Sequence, residues 1–161
     1  ADSQRRNRAH FARWDPRRPE GFFTDAFWHR RVAADAELSA QDRAYRLFVF
    51  SPDEATVRGH VHFANVVRGA FQCCHLGFGI DRGHEGRGLM RESLDAAIGW
   101  AFGPLRLHRI EANHRPDNLR SGGLLERLGF APQGYARDYL LIDGEWHDHV
   151  LTARLNPDWR P

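Results

Sequence analysis

The sequence predicts a single α/β domain over residues 1–161, with a mixed, mostly antiparallel central sheet flanked by helices. The order of elements carries that expectation: helical patterns first, then three strand-like runs separated by turns, then strand–helix alternation and a closing hairpin. A length of 161 residues suits one domain, and 42% hydrophobic content supplies one sizeable core. No repeat, low-complexity tract or linker divides the chain.

Residues 2–13 read as a short polar helix that ends before Trp14-Asp15-Pro16, and Pro16 and Pro19 make a loop. Thr24 or Asp25 caps the next helix, whose face runs through Phe27, Val32, Ala36 and Leu38. Strand-like runs follow at 44–50, 56–67 and 70–80, broken by the turns Ser51-Pro52-Asp53-Glu54 and Arg68-Gly69, and form an antiparallel meander. A helix from about Arg87 to Ala101 carries the apolar stripe Leu89, Leu94, Ala97, Ile98, Ala101. Residues 107–112 make a strand, and Asn118 to Leu128 a second helix stopped by Gly129. Two last strands, 133–142 and 145–155, flank Asp143-Gly144, a strong hairpin signal.

No apolar run approaches the roughly 18 residues of a membrane helix, and no signal-peptide pattern is present, so a cytoplasmic protein without membrane contact is expected. Cys73 and Cys74 are adjacent, which suits neither a disulfide framework nor a metal site. On one strand they would face opposite sides, placing one of them in the core. Net charge is +2, and every basic side chain is Arg. That bias fits GC-rich coding, and also fits phosphate or RNA contact through the planar guanidinium, including a ribosome contact. The chain opens at Ala1 with no initiator Met and no leading strand-like run, so it reads as a fragment or a processed form.

The segment from Gly79 to Gly88 holds four glycines immediately ahead of a helix. A helix N-terminus exposes unpaired N–H groups and favours anions, and glycines at 86 and 88 remove the Cβ atoms that would keep a phosphate oxygen away. A plain tight turn has the same composition. The Lys-Ser/Thr of a Walker loop and the third glycine of a dinucleotide fingerprint are both missing, which disfavours those enzymes.

Further residues narrow the choice. Leu76-Gly77-Phe78-Gly79-Ile80, then Glu85-Gly86-Arg87-Gly88-Leu89-Met90, then Asn118, Ser121, Leu125 and Gly129-Phe130 resemble the acetyl-CoA site of the GNAT superfamily of N-acetyltransferases. Asn65-Val66-Val67-Arg68-Gly69, the segment Gly88-Leu89-Met90, and the tail from Gly134 to Trp159 resemble more narrowly its RimJ-type ribosomal-protein-alanine members. The likeness is strong from about residue 60 to 159. It departs at Gly83, where the family loop usually has Gln or Arg, and in lacking the family's first β-strand, which predicts an incomplete sheet edge.

The resemblance implies transfer of acetyl from acetyl-CoA to the α-amino group of a protein N-terminus, by direct attack in a ternary complex. The acceptor would be an alanine-started ribosomal protein. The pyrophosphate would lie on Gly83, His84, Glu85, Gly86, Arg87, Gly88 and Leu89, and the pantetheine along Phe78 to Ile80. Asn118 matches the position that contacts the arm, and Ser121 the donor to the leaving thiolate; as a plain helix start, Asn118 is an N-cap and Ser121 its partner. An α-amine of pKa about 7.7–8.0 is partly neutral near pH 7.5, so a modest base suffices. Glu111 and Asn113, two apart on a strand, are the first candidates, with Asp138 and Tyr139 behind them.

Other clusters have plainer readings. His147-Asp148-His149 lacks a third ligand, so no metal is expected. Trp14, Phe22, Phe23, Phe27 and Trp28 fit either a substrate groove or the anchor of a long loop. A covalent acetyl-Cys route lacks a partner base, although His75 adjoins Cys74. Two other functions compete: a small-amine acetyltransferase acting on an antibiotic or polyamine, which the Arg-rich front end opposes, and a non-catalytic ribosome- or RNA-associated module.

Overall fold

The computed structural model describes residues 1–160. Two short helices, α1 (Asp2–Arg6) and α2 (Arg8–Ala12), lead to α3 (Asp25–Ala40). The strands β1 (Tyr45–Phe50), β2 (Val57–Val67) and β3 (Cys73–Ile80) come next. A 3-10 turn (Arg82–His84) and α4 (Leu89–Phe102) precede β4 (Arg109–Glu111) and α5 (Leu119–Arg127). The hairpin β5 (Ala131–Ile142) and β6 (Glu145–Leu155) closes the fold. The six strands run in the order β1-β2-β3-β4-β6-β5, and only the β3–β4 pair is parallel.

The meander, both later helices and the hairpin therefore form as the sequence predicts. Thr24 caps α3, its hydroxyl accepting from Phe27 N at 3.2 Å. Asp143 and Gly144 both take positive φ, +51° and +91°, as a tight hairpin turn demands. Gly129 follows α5 in the left-handed conformation at φ +80°.

The main core lies between one face of the sheet and α4 with α5. Leu94, Ala97, Ile98 and Ala101 bury the α4 stripe against Val61, Phe63, Cys74 and Leu76, with Met90 taking the core place expected for the half-buried Leu89, and Leu125 brings in α5. These spacings keep one side of the helix apolar, so burial rather than propensity holds it. The opposite face is thinner. There Phe11 of α2 packs over Gly79, Trp28 meets Phe48 edge-on, and Asp35 pairs with Arg31 and Arg46, both at 2.8 Å.

Four expectations change. The helix over 2–13 breaks at Asn7, whose buried carboxamide donates to Ser3 O at 2.8 Å and accepts from Arg82 N at 2.9 Å. A tertiary hydrogen bond wins there over helix continuity. Residues 70–72 remain in the turn ahead of β3, and the strand over 107–112 shortens to Arg109–Glu111. Both cysteines are buried: Cys74 lies in the core with α4, and Cys73, at the start of β3 between Val67 of β2 and Arg109 of β4, is 1% exposed. Burial raises the Cys73 thiol to about 11 and that of Cys74 to about 12, so neither is a ready nucleophile.

His60 and His62 sit on the thin face of β2, and burial lowers each to about 4. Arg46 and Arg18 reinforce this at His60; Arg46 and Arg31 do so at His62, against the pull of Asp35. Unfolded imidazoles, near 6.5, bind protons that the folded ones refuse. Stability is therefore complete above about pH 7 and falls as pH drops through 6.5 toward 4. The urea midpoint is expected to drop between pH 7 and pH 5 by the equivalent of up to about 2 kcal/mol per imidazole. A flat midpoint would show that they gain protons in place.

Candidate active site

At the end of β3 the chain turns through the glycine-rich loop. Asp81 N donates to Arg58 O at 2.7 Å, and the Asp81 carboxylate accepts from Gly83 N at 3.0 Å, which starts the 3-10 turn. Gly86 and Gly88 follow at φ +72° and +79°, with nothing within 4 Å of where either Cβ would stand. Gly88 is the N-cap of α4 and supplies no side-chain acceptor. The first N–H groups of α4 thus open onto free space, in an arrangement that receives an anion.

Beside this loop the sheet forks. β3 pairs with β4 only at Cys73–Arg109, Cys74–Ile110 and His75–Glu111. Past Glu111 the chain follows β6 instead: Ala112 N donates to Thr152 O at 3.0 Å, and His114 bridges Val150. Gln72 O accepts from Arg109 N on the β4 side, while Asp81 N points to β2. Alternation between these points turns the N–H and C=O groups of Leu76, Phe78 and Ile80 to the side that β4 has vacated. Gly77 is exposed although β3 lies third of six in the sheet.

Helix α5 closes the other side of the fork. Asn118 caps it, the side-chain oxygen accepting from Ser121 N at 3.2 Å, so the Ser121 hydroxyl is not consumed by the cap. Arg120 reaches Glu85 of the glycine loop at 2.6 Å, and His10 of α2 lies 3.5 Å from the same carboxylate. Loop, α2 and the start of α5 are thereby brought together. A Cβ on Gly122 would stand 2.8 Å from the His114 ring, whose Nδ1 is 2.9 Å from Arg115 O.

The two leading base candidates have different partners. Glu111 stands at the fork, accepting from Arg109 Nε at 2.7 Å, with His75 Nε2 3.3 Å from its other oxygen. Asn113 lies beyond β4, where it donates to the Tyr139 hydroxyl at 3.0 Å and accepts from Thr152 N at 3.2 Å. The register with β6 runs unbroken from Arg109–Leu155 to His114–Val150, so the two stay alternate residues of one extended run and differ in their partners. Asp138, at φ +46° in a bulge of β5, donates its backbone N–H to Asp148. His149 is buried with Nδ1 3.0 Å from His147 O, while Asp148 also accepts from the Tyr135 hydroxyl.

A cleft of about 400 Å³ opens between the N-terminal helices and the β5–β6 turn, lined by Arg8, Phe11, Asp15, Arg18, Phe23 and Asp143 among others. Burial raises the Asp15 carboxyl, against the pull of Arg18 and His10. Phe22, Phe27 and Trp28 pack on one another and anchor the loop, whereas Phe23 lines the cleft. Trp14 lies under the guanidinium groups of Arg13 and Arg115, at 4.6 and 5.4 Å. Asp15, Arg120 and the partnering of Asn7 with the glycine loop escaped the sequence reading; only the Asn within a helical pattern gave a local hint.

The family model for the acetyltransferase (GNAT) domain matches residues 3–131. The chain belongs to the GNAT acetyltransferase family. This GNAT chain is 47% identical over 161 residues to the [ribosomal protein uS5]-alanine N-acetyltransferase of Escherichia coli, covering 100% of itself and 83% of that protein. The crystal structure of a ribosomal-protein-S5-alanine acetyltransferase from Vibrio fischeri superposes with a TM-score of 0.96 at 38% identity, over 99% of this chain and 87% of that one. A Mycobacterium smegmatis RimJ in complex with CoA-disulfide shares the fold at a TM-score of 0.88 and 24% identity, over 99% and 78%. The GNAT chain is an N-acetyltransferase, and the single mixed six-stranded sheet with helices on both faces is the expected fold.

Because the His114 ring is seated on bare backbone, Gly122→Val is expected to lower stability by about 1–3 kcal/mol. Thermal denaturation checks this, and an unchanged midpoint would mean that the ring moves aside freely.

Proposed function

We propose that this GNAT chain transfers acetyl from acetyl-CoA to the α-amino group of a protein N-terminus, that of an alanine-started ribosomal protein, by direct attack in a ternary complex. The observation that carries the reading is the fork: an open β3 edge leading straight into a bare helix N-terminus. The fit is physical. Gly83, His84 and Glu85 spend their N–H groups within the turn, on Asp81 and Arg82, and so shape it, while the N–H groups of Gly86, Arg87, Gly88 and Leu89 suit a pyrophosphate, with free space where Cβ atoms at 86 and 88 would block it. The vacated backbone groups at Phe78 and Ile80 suit an amide-bearing pantetheine arm, which would lie antiparallel to β3 as an added strand. Gly83, in place of the usual Gln or Arg, trims affinity without removing these backbone donors.

The remaining residues divide the chemistry. Asn118 holds the start of α5 against the arm, and Ser121 donates to the departing thiolate. Glu111 is the carboxylate at the fork, whereas Asn113 has no basic atom and instead orients the Tyr139 hydroxyl. The likeness to the alanine acetyltransferases supports the acceptor class, and the cleft beside Asp15 offers a groove for an N-terminal segment. A ribosomal acceptor places the reaction in the cytoplasm, and the Arg-rich surface is suited to meeting ribosomal RNA.

Thiol release from acetyl-CoA is expected with Ala- or Ser-started peptides and not with Met-started peptides or spermidine. Turnover on spermidine alone would move the function to small amines; tight cofactor binding without any turnover would leave a binding module. Ser121→Ala is expected to lower kcat about 100-fold while acetyl-CoA affinity by calorimetry stays unchanged. An undiminished kcat would take Ser121 out of the reaction.

A further inference from the structure

The turn between β3 and α4 carries two carboxylates, Asp81 and Glu85, just ahead of the N–H groups that open onto free space. An anion bound there would meet both of them. Each is covered by an arginine from another helix. Arg6 of α1 lies 3.3 Å from Asp81, and Arg120 of α5 lies 2.6 Å from Glu85. The turn's own Arg82 and Arg87 pair with neither carboxylate among the described residues.

Arg120 stands where its own helix gives it no support. A cation in the first turn of a helix opposes the helix dipole, and α5 has no acidic residue in that turn to offset it. The nearer carboxylate, Asp117, is already held by Arg115 at 2.8 Å. Arg120 instead reaches Glu85, 35 positions away in the chain, with its side chain 80% exposed. An ion pair so exposed adds little to stability. What it changes is the charge beside the turn.

Resting on the transfer reading above, we propose that Arg120 is a positioning residue for acetyl-CoA that acts through Glu85, cancelling the carboxylate's charge so that the adjoining N–H groups can receive the pyrophosphate. Glu85 directly precedes Gly86 to Leu89, the four residues whose N–H groups are left for an anion. Uncancelled, its charge would repel the phosphates across a short, partly wet gap that screens it incompletely. His10 Nε2 lies 3.5 Å from the other oxygen of Glu85. An imidazole is charged only when protonated, whereas a guanidinium stays charged at every working pH. Arg120 is therefore the permanent counter-ion.

The test measures the affinity of the full chain for acetyl-CoA by calorimetry. Arg120→Ala is expected to weaken it about 10-fold at low salt, a deficit against the unmutated chain that shrinks as salt is added. Arg120→Lys keeps the charge and should recover most of the loss. The decisive variant combines Arg120→Ala with Glu85→Gln, which leaves no charge to cancel; affinity should return at least to that of the unmutated chain. Undiminished affinity in Arg120→Ala would overturn the proposal. So would a double variant as weak as Arg120→Ala alone, since Arg120 would then act on the phosphates directly. Thermal midpoints should stay together across the set; a midpoint that fell with affinity and was not restored by Glu85→Gln would make Arg120 structural and also overturn it. If the unmutated chain does not bind acetyl-CoA, the transfer reading falls together with this one. An adverse result confined to the variants removes only the role of Arg120.

Discussion

Three residue pairs decide the character of this molecule. β3 and β4 hold together only from Cys73 to His75, after which the chain abandons β3 and gives its hydrogen bonds to β6. Backbone groups inside a protein ordinarily find partners, and a central strand that leaves several on one side is unstable as a closed sheet. The fold tolerates it because β2 satisfies the other side along nearly the whole of β3 and because α4 covers the apolar face. The open edge is thus maintained by the rest of the structure, and the site is built around it.

The two faces of the sheet carry different loads. The α4 and α5 side is dry, with Phe63, Leu94 and Ile110 wholly buried. The other side is packed with rings, guanidinium groups and half-buried imidazoles, under the long α3 and the short α1 and α2. Stability is concentrated on the first face, which leaves the second free to carry polar chemistry at the cost of sensitivity to pH.

Local signals were legible in the sequence, and relations between distant segments were not. The α4 stripe, the Thr24 and Asn118 caps and the Asp143-Gly144 turn depend on residues within a few positions of one another. Each appears where patterning places it. The break at Asn7 depends on Arg82, and the burial of both Cys73 and Cys74 on segments that the fold brings to β3 from elsewhere in the chain. Glu111 is the last residue that β3 reaches, and nothing nearby in the sequence says that the pairing with β3 stops there while that with β6 goes on. The glycine loop was readable as chemistry because its requirement is local: left-handed backbone at Gly86 and Gly88 directly before a helix. The contact of Arg120 with Glu85 left no such trace.

The buried carboxamide of Asn7 joins the kink between α1 and α2 to the first residue of the 3-10 turn. One partner belongs to the loop suited to an anion; the other belongs to helices that wall the cleft. Neither can shift without straining the same hydrogen bond, so the two halves of the binding surface form one mechanical unit. Thermodynamic reciprocity then requires that whatever steadies the loop also biases the wall, and that a guest in the cleft return the same coupling energy to the loop.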